Sequence, residues 1–399
     1  MFIILLFLAT HFLPVTSENN LVFAQVLFRH GARAPSAQFT NESFREHFPR
    51  GLGELTDRGF KNSYLVGKYL AHRYLDTGFL NKNMISKEMY WRSMNIARCL
   101  STGATVGAAM FEELDKHLHV PISTQETDEN LLNYDFNSCY REMEIIKAKC
   151  PSFTSPDQFK HWPDYEAFIA NCLNYTHKVF DTIPFQTLEA HLNEYKNGLP
   201  VPQILADNIK EIIGIYVKTT HWITGTGTHH DPNMMMVKFG ILTNTLISNI
   251  EEAWKCHNGS IKCGKSNKKL KVYSTQDFML MGTLAAFGVQ NVTIANDNPE
   301  YNSMIIMELW DNNGSPEVKF YYKAEEVTEL NHKLIDVSTK VRNCQGSVDA
   351  CPLEKFINCC DKYRDRGIPG EACMPKNTDT TLTNSLNKKK RKKRFAGPS

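Results

Sequence analysis

The sequence predicts an α/β fold built on a central sheet and interrupted by a mainly helical insertion. Three observations carry this. Apolar runs alternate with segments of helical periodicity, in the order strand, helix, strand, helix, over residues 21 to 111. From about residue 128 to 236 the pattern turns helical, with polar, aromatic-rich interruptions. After residue 237 a long amphipathic stretch is followed again by strand and helix patterns. At 399 residues the chain can bury a large core and accommodate more than one domain.

The elements follow in order. Leu21 to Phe28 is an apolar run, read as the first strand. Leu55-Thr56-Asp57 opens a helix whose apolar residues recur at Phe60, Tyr64, Leu65, Tyr69, Leu70 and Tyr74, with Thr56 as N-cap and Gly78 past the end. Met89-Tyr90-Trp91 reads as a short buried strand, followed by a helix from about Ile96 to Phe111 whose many small residues suit close packing on a sheet. Val237 to Trp254 is the long amphipathic helix, Lys271 to Ser274 a strand, and Met279 to Phe287 a helix ended by Gly288. Ser303 to Trp310 and Glu317 to Ala324 read as a β-hairpin with an Asn-Gly turn at Asn313-Gly314. The division expected is a core of residues 18–127 and 237–375, an inserted cap of 128–236, and a basic disordered tail of 376–399.

Residues 1–17 carry no charged side chain and are apolar from Phe2 to Leu8 and from Phe12 to Val15. Small residues at Val15-Thr16-Ser17 mark a signal-peptide cleavage site near Glu18. No later segment reaches the roughly 18–20 apolar residues that span a bilayer. The expectation is a secreted or lysosomal, lumenal product without a transmembrane anchor. Eleven cysteines suit an oxidising compartment, and their odd number leaves one without an internal partner. Glycosylation sequons at Asn41, Asn174, Asn258, Asn291 and Asn313 agree. Lys388 to Arg394 is seven consecutive cations, which leaves 38 basic against 43 acidic residues elsewhere. A body that is mildly acidic argues against a nucleic-acid partner.

Arg29-His30-Gly31-Ala32-Arg33-Ala34-Pro35 directly follows the first strand. A strand end thereby delivers one imidazole and two guanidiniums into a turn, with Gly31 relieving a Cβ clash and Pro35 stopping the ladder. Forked cations around a neutral imidazole suit a tetrahedral oxyanion such as phosphate. The imidazole is then placed to act as nucleophile on phosphorus, with the cations holding the developing charge.

The string R-H-G-x-R-x-P behind an apolar strand resembles the active-site signature of the histidine phosphatases, in the acid-phosphatase branch that includes animal lysosomal and prostatic enzymes. The resemblance runs from about Leu21 to Cys373. It implies a central mixed sheet flanked by helices on both faces, with an inserted helical cap. It also implies hydrolysis of a small-molecule phosphate monoester through a phosphohistidine, without metal or cofactor. Arg92-Ser93-Met94-Asn95-Ile96-Ala97-Arg98 resembles the family's R-S-T-D-x-D-R and makes Arg98 a third phosphate ligand, although Asn95 and Ala97 replace its acids. Tyr273-Ser274-Thr275-Gln276-Asp277 resembles Y-S-A-H-D, which makes Asp277 the proton donor, or on a purely structural reading a helix cap. A donor near bound phosphate is expected to have a raised pKa and to give an acidic optimum.

Gln276 stands where the family has a histidine that binds phosphate; an amide keeps a hydrogen bond but no charge, so weakened turnover is expected. The cysteine pattern around Cys344, Cys351 and the Cys150-Pro151-Ser152-Phe153 string implies the bridges Cys344–Cys351 and Cys150–Cys373. Cys256 and Cys263 flank a short loop they can close. Cys99, Cys139, Cys172, Cys359 and Cys360 have no assignment. Thr228-His229-His230-Asp231 has metal-ligand residue types, but fits no zinc spacing, and adjacent histidines point apart. The competing reading is a non-catalytic phosphate-ester binder that lost turnover through Gln276. The identity of the substrate and the oligomeric state, homodimer included, are left open by the sequence.

Overall fold

The computed structural model describes residues 19–113, 118–124, 131–132, 139–264, 268–324, 333–367 and 373. The segments expected to be a signal peptide (1–17) and a basic tail (376–399) lie outside the described residues. Strand β1 (Asn19–Arg29) is followed by helices α1 (Asp57–Tyr74) and α2 (Ile85–Glu88), β2 (Met89–Ser93), α3 (Ala97–Phe111) and β3 (Ile122–Ser123). Helices α4 (Tyr140–Lys149), α5 (Trp162–Cys172), α6 (Leu188–Lys196), α7 (Gln203–Ala206), α8 (Ile209–Thr224) and α9 (Pro232–His257) come next. The chain then gives β4 (Leu270–Thr275), α10 (Asp277–Ala286), α11 (Gln290–Thr293), β5 (Met304–Asn312), β6 (Ser315–Lys323), β7 (Ile335–Asp336), β8 (Cys351–Pro352) and α12 (Leu353–Ile357).

The eight strands form one sheet in the order β3-β2-β4-β1-β5-β6-β7, with β8 also paired to β6. The β3-β2, β2-β4 and β4-β1 pairs are parallel, and β1-β5, β5-β6, β6-β7 and β6-β8 are antiparallel, so the sheet is mixed. Central β1 explains its own unbroken apolar run. Ala24, Val26 and Phe28 pack with Val66, Leu70 and Tyr74 of α1 and with Val106 and Met110 of α3. Phe23 and Leu27, on the other face, meet Phe239, Leu242 and Leu246 of α9 and Leu280 and Leu284 of α10. A strand covered on both faces gains from apolar residues at every position. Gln25 is the polar exception, and it is satisfied: its amide donates to the Leu246 carbonyl at 2.8 Å and accepts from Asn249 at 3.1 Å.

Local chemistry sets the element ends. Thr56 caps α1 by accepting from the Gly59 N–H. Asn312 faces Ser315 across the hairpin, and Asn313 and Gly314 turn it with φ of 51° and 84°. Positive φ at both turn residues is the geometry that matches the twist of the strands. Helix α9 starts at Pro232, earlier than the expected Val237, because Asp231 accepts from the Asn233 and Met234 N–H groups and proline fits the first helical position. Between β3 and α9 the described elements are all helical and build their own apolar clusters. One gathers Ala170, Val179, Leu188, Leu205 and Ile212, and the other Ile146, Phe153, Tyr165, Ile169 and Ile223.

Five disulfides are formed, and one corrects the sequence reading. Cys150 does not bond to Cys373; it bonds to Cys172, while Cys373 bonds to Cys139. Cys139 and Cys150 sit at opposite ends of α4, whose ten residues separate them by about 15 Å. Cys373 docks at the N-terminal end, against Val237 of α9, so it meets Cys139 and is out of bridging range of Cys150. Cys344 bonds to Cys351, Cys256 to Cys263, and Cys359 to its neighbour Cys360. Cys99 is free and buried. No helix among the described residues is long and apolar enough to cross a membrane.

Candidate active site

The site forms where parallel strands end side by side. Arg29, the last residue of β1, is in register with Thr275, the last of β4, and the His30 N–H donates to the Thr275 carbonyl at 3.0 Å. One peptide further, His30 leaves β1 while Gln276 and Asp277 leave β4 to start α10. β2 lies on the other side of β4, and its exit brings Arg98 in on the first turn of α3. Ligand sites of open α/β sheets occupy this carboxyl edge, where strand exits diverge.

Gly31 does avoid a Cβ clash as expected, but the clash is with α1 and not within its own turn. Its φ is not positive; it is in close backbone contact with Gly59 of α1. A Cβ at Gly31 would stand 2.5 Å from the Gly59 oxygen, and one at Gly59 would stand 2.1 Å from the Ala32 oxygen. Two glycines 28 residues apart in the chain thus let α1 press directly on the motif loop. The Gly31 N–H is met by the Thr102 hydroxyl of α3 at 3.1 Å.

His30 is 2 % exposed, and its Nδ1 lies 2.9 Å from the Gly31 carbonyl oxygen. A carbonyl only accepts, so Nδ1 carries the proton and Nε2 the lone pair. Burial, then the charges of Arg98, Arg29 and Arg33, hold the imidazole pKa well below its ordinary value, which keeps the ring neutral and nucleophilic. Arg29 Nη1 donates to the Pro299 carbonyl at 2.7 Å, Nη2 pairs with Asp277 Oδ2 at 2.8 Å, and its guanidinium lies 4.2 Å from the Tyr301 ring centre. Burial pushes the Asp277 carboxyl up, but Arg29, Arg33, the Phe278 N–H and Arg98 outweigh it, and the net shift is downward. The Phe278 N–H bonds Asp277 Oδ1 at 2.9 Å. Asp277 is the first residue of α10, and Gln276 is the N-cap without a capping side-chain bond. Asp277 is thus not the N-cap residue, although its carboxylate satisfies one first-turn N–H of that helix.

Gln276 Oε1 accepts from Arg98 Nη2 at 3.5 Å, and its Nε2 lies 2.9 Å from Met94 Sδ. Burial and the charge of Arg33 lower the Arg98 pKa. The Nε atoms of Arg29, Arg33 and Arg98 are all buried with no protein partner. All six residues singled out from the sequence, Arg29, His30, Arg33, Arg98, Gln276 and Asp277, converge here.

Residues that the sequence reading missed complete the site. Glu189 of α6 pairs with Arg33 at 2.7 Å, Asn193 of α6 donates to Glu189 at 2.7 Å, and the Tyr301 hydroxyl bonds Asn193. Glu189 is 156 positions from Arg33, and no local motif links them. The two histidines of the 228–231 segment turn to different partners, His229 to Tyr175 and His230 to Tyr363.

A family model, that of the histidine phosphatase superfamily, branch 2, matches residues 20–323, which span the strand motif, Arg98 and Asp277. The chain belongs to this superfamily. Its relatives include the putative acid phosphatase 1 of Caenorhabditis elegans, 28 % identical over 366 residues that cover 87 % of this chain and 81 % of that protein. The prostatic acid phosphatase of Rattus norvegicus is 26 % identical, covering 86 % of each chain. Among solved structures, the phytase of Klebsiella sp. ASR1 superposes with a TM-score of 0.57 at 16 % identity, covering 90 % of this chain and 98 % of that one. That likeness shows the fold. The family membership and the named relatives make this chain a phosphatase at family level.

Proposed function

We propose that the protein is an acid phosphatase that hydrolyses phosphate monoesters through a phosphohistidine on His30. The observation that carries the reading is the 2.9 Å contact between His30 Nδ1 and the Gly31 carbonyl oxygen. Nδ1 is committed to the Gly31 carbonyl, so Nε2 offers its lone pair among three guanidiniums. In the first step Nε2 attacks phosphorus in line, the N–P bond forms and the P–O bond to the leaving group breaks. Asp277 gives its proton to the departing oxygen. In the second step water attacks phosphorus, Asp277 takes the water's proton, and the N–P bond breaks to release phosphate. Arg29, Arg33 and Arg98 hold the phosphoryl oxygens, with Gln276 donating without charge.

Asp277 must be protonated when substrate arrives, yet the arginines hold it ionised in the free site. A bound phosphate dianion supplies the opposing term: it occupies the same guanidiniums and repels a carboxylate, which raises the Asp277 pKa. Helices α4 to α8 serve as a cap over the sheet edge, supported by the reach of α6 to Arg33. The disulfides and the exposed sequons Asn41, Asn174, Asn258, Asn291 and Asn313 support glycosylation and a secreted or lysosomal location.

Release of phosphate from p-nitrophenyl phosphate at acid pH tests the reading. Turnover is expected from the wild-type chain and loss of it from His30→Ala; equal rates in the two would overturn it. The second reading, a phosphate-ester binder without turnover, rests on Gln276. A gain of about 10²-fold or more from a nearly inactive start in Gln276→His would favour it, that being the scale for one preorganised donor.

A further inference from the structure

Helix α6 brings one buried carboxyl group, Glu189, to a pocket whose chemistry calls for cations, and holds a second, Glu194, against Thr40 outside it. Glu189 Oε1 accepts from Arg33 Nη1 and from Asn193, and its Oε2 accepts from the Ser36 N–H at 3.0 Å. Glu194 is bonded by the N–H and hydroxyl of Thr40. Asn193 receives the Tyr301 hydroxyl, and the Tyr301 ring lies against Arg29. One continuous chain therefore runs Arg33, Glu189, Asn193, Tyr301, Arg29, Asp277.

The charges along this chain decide what the pocket can hold. Arg29 faces Asp277, Arg33 faces Glu189, and Arg98 faces the neutral amide of Gln276, while His30 is uncharged. With both carboxyls ionised, these groups sum to one net positive charge. With Asp277 protonated, as the donor must be, they sum to two, the charge of one phosphate dianion. A second phosphate group on the same substrate meets no surplus cation in this set and comes under the field of Glu189. The outlying Lys196, at the end of α6, is itself paired with Glu300 at 2.7 Å.

We propose that Glu189 is a specificity-determining residue that makes the pocket select singly phosphorylated substrates and reject polyphosphorylated ones. It does so in two ways: it consumes the charge of Arg33, and it adds the field of a buried anion 2.7 Å from that guanidinium. The inference rests on the phosphate-pocket reading above and adds the substrate class. Asn193 and Tyr301 are positioning residues that fix Glu189 relative to both motif arginines.

The test is binding of orthophosphate and of tripolyphosphate by calorimetry, in a His30→Ala background that leaves the charge unchanged and stops consumption of the probe. Without further change, tripolyphosphate should bind no more tightly than orthophosphate. Glu189→Gln keeps an acceptor for Arg33 and removes the charge. It should raise the preference for tripolyphosphate over orthophosphate about tenfold, the scale of one charge acting over several ångströms at an effective dielectric of about 20–40. Gln276→Lys, which adds a cation beside Arg98, should shift the preference in the same direction and carries the test should Glu189→Gln not fold. An unchanged preference in the folded variants, or tenfold tighter tripolyphosphate binding before either change, overturns the proposal. A shifted preference together with no turnover of p-nitrophenyl phosphate by the wild-type chain would sink the phosphatase reading and leave this inference standing.

Discussion

Arg29 and Asp277 form an ion pair, Nη2 to Oδ2 at 2.8 Å, across the exits of two adjacent parallel strands. In the proposed reaction the pair would join the phosphate-binding motif to the proton donor. Because Arg29 helps hold the Asp277 pKa down, a bound phosphate that engages Arg29 would ease protonation of Asp277 and so link substrate binding to donor protonation.

The first prediction concerns pH. The Asp277 pKa is depressed in the free protein, so kcat/KM for p-nitrophenyl phosphate should decline as pH rises from the acid range. The pair's contribution to stability has the opposite sign. It is present above the unfolded aspartate pKa of about 3.9 and is lost as pH falls through the lower folded value. Asp277→Asn should cut kcat by about 10²–10⁴-fold, and more for alkyl than for p-nitrophenyl esters, since an alkoxide needs the proton more. Steady-state rates with glycerol 2-phosphate and p-nitrophenyl phosphate check this; equal losses on both would contradict the donor role.

The backbone contact under the motif is a second point of attack. Gly31→Ala places a methyl 2.5 Å from the Gly59 carbonyl oxygen, where backbone cannot yield cheaply. The change should destabilise the fold by about 1–3 kcal/mol or more and displace His30. Urea denaturation and p-nitrophenyl phosphate turnover should both register it.

Disulfide connectivity is directly measurable. Non-reducing peptide mapping should recover Cys139 joined to Cys373 and Cys150 joined to Cys172. Recovery of a Cys150–Cys373 peptide would reverse the correction made above.

A buried ion pair between α4 and α9 gives the last prediction. Lys238 of α9 and Glu142 of α4 are both fully buried and bonded to each other. Burial, partly offset by the lysine, pushes Glu142 up to about 7, and burial, partly offset by the glutamate, brings Lys238 down to about 8. Removing one partner strands the other, so Lys238→Met should cost about 3–5 kcal/mol. Lys238→Met with Glu142→Leu should recover most of that loss in thermal melts.

Much of the site was legible because its residues lie in short strings at strand ends. Arg29, His30 and Arg33 share one turn, and Gln276 and Asp277 another, so a local pattern sufficed to find them. Glu189, Asn193 and Tyr301 escaped for the converse reason. They reach the pocket across more than a hundred positions, through packing of α6 against the motif loop. The error at Cys150 has the same origin: a local string named the right segment, but which end of α4 receives Cys373 is a matter of helix packing.

By itself the amino-acid sequence determined the alternation of strands and helices, the Asn-Gly hairpin and the short strings that hold Arg29, His30, Arg33, Arg98 and Asp277, since periodicity, turn chemistry and side-chain identity act over a few residues. The tertiary structure alone decided the proton position on His30, the depressed pKa of Asp277 and the partner of each arginine. Those depend on burial and on charges brought together from distant segments, and such energies exist only once the chain has closed around them.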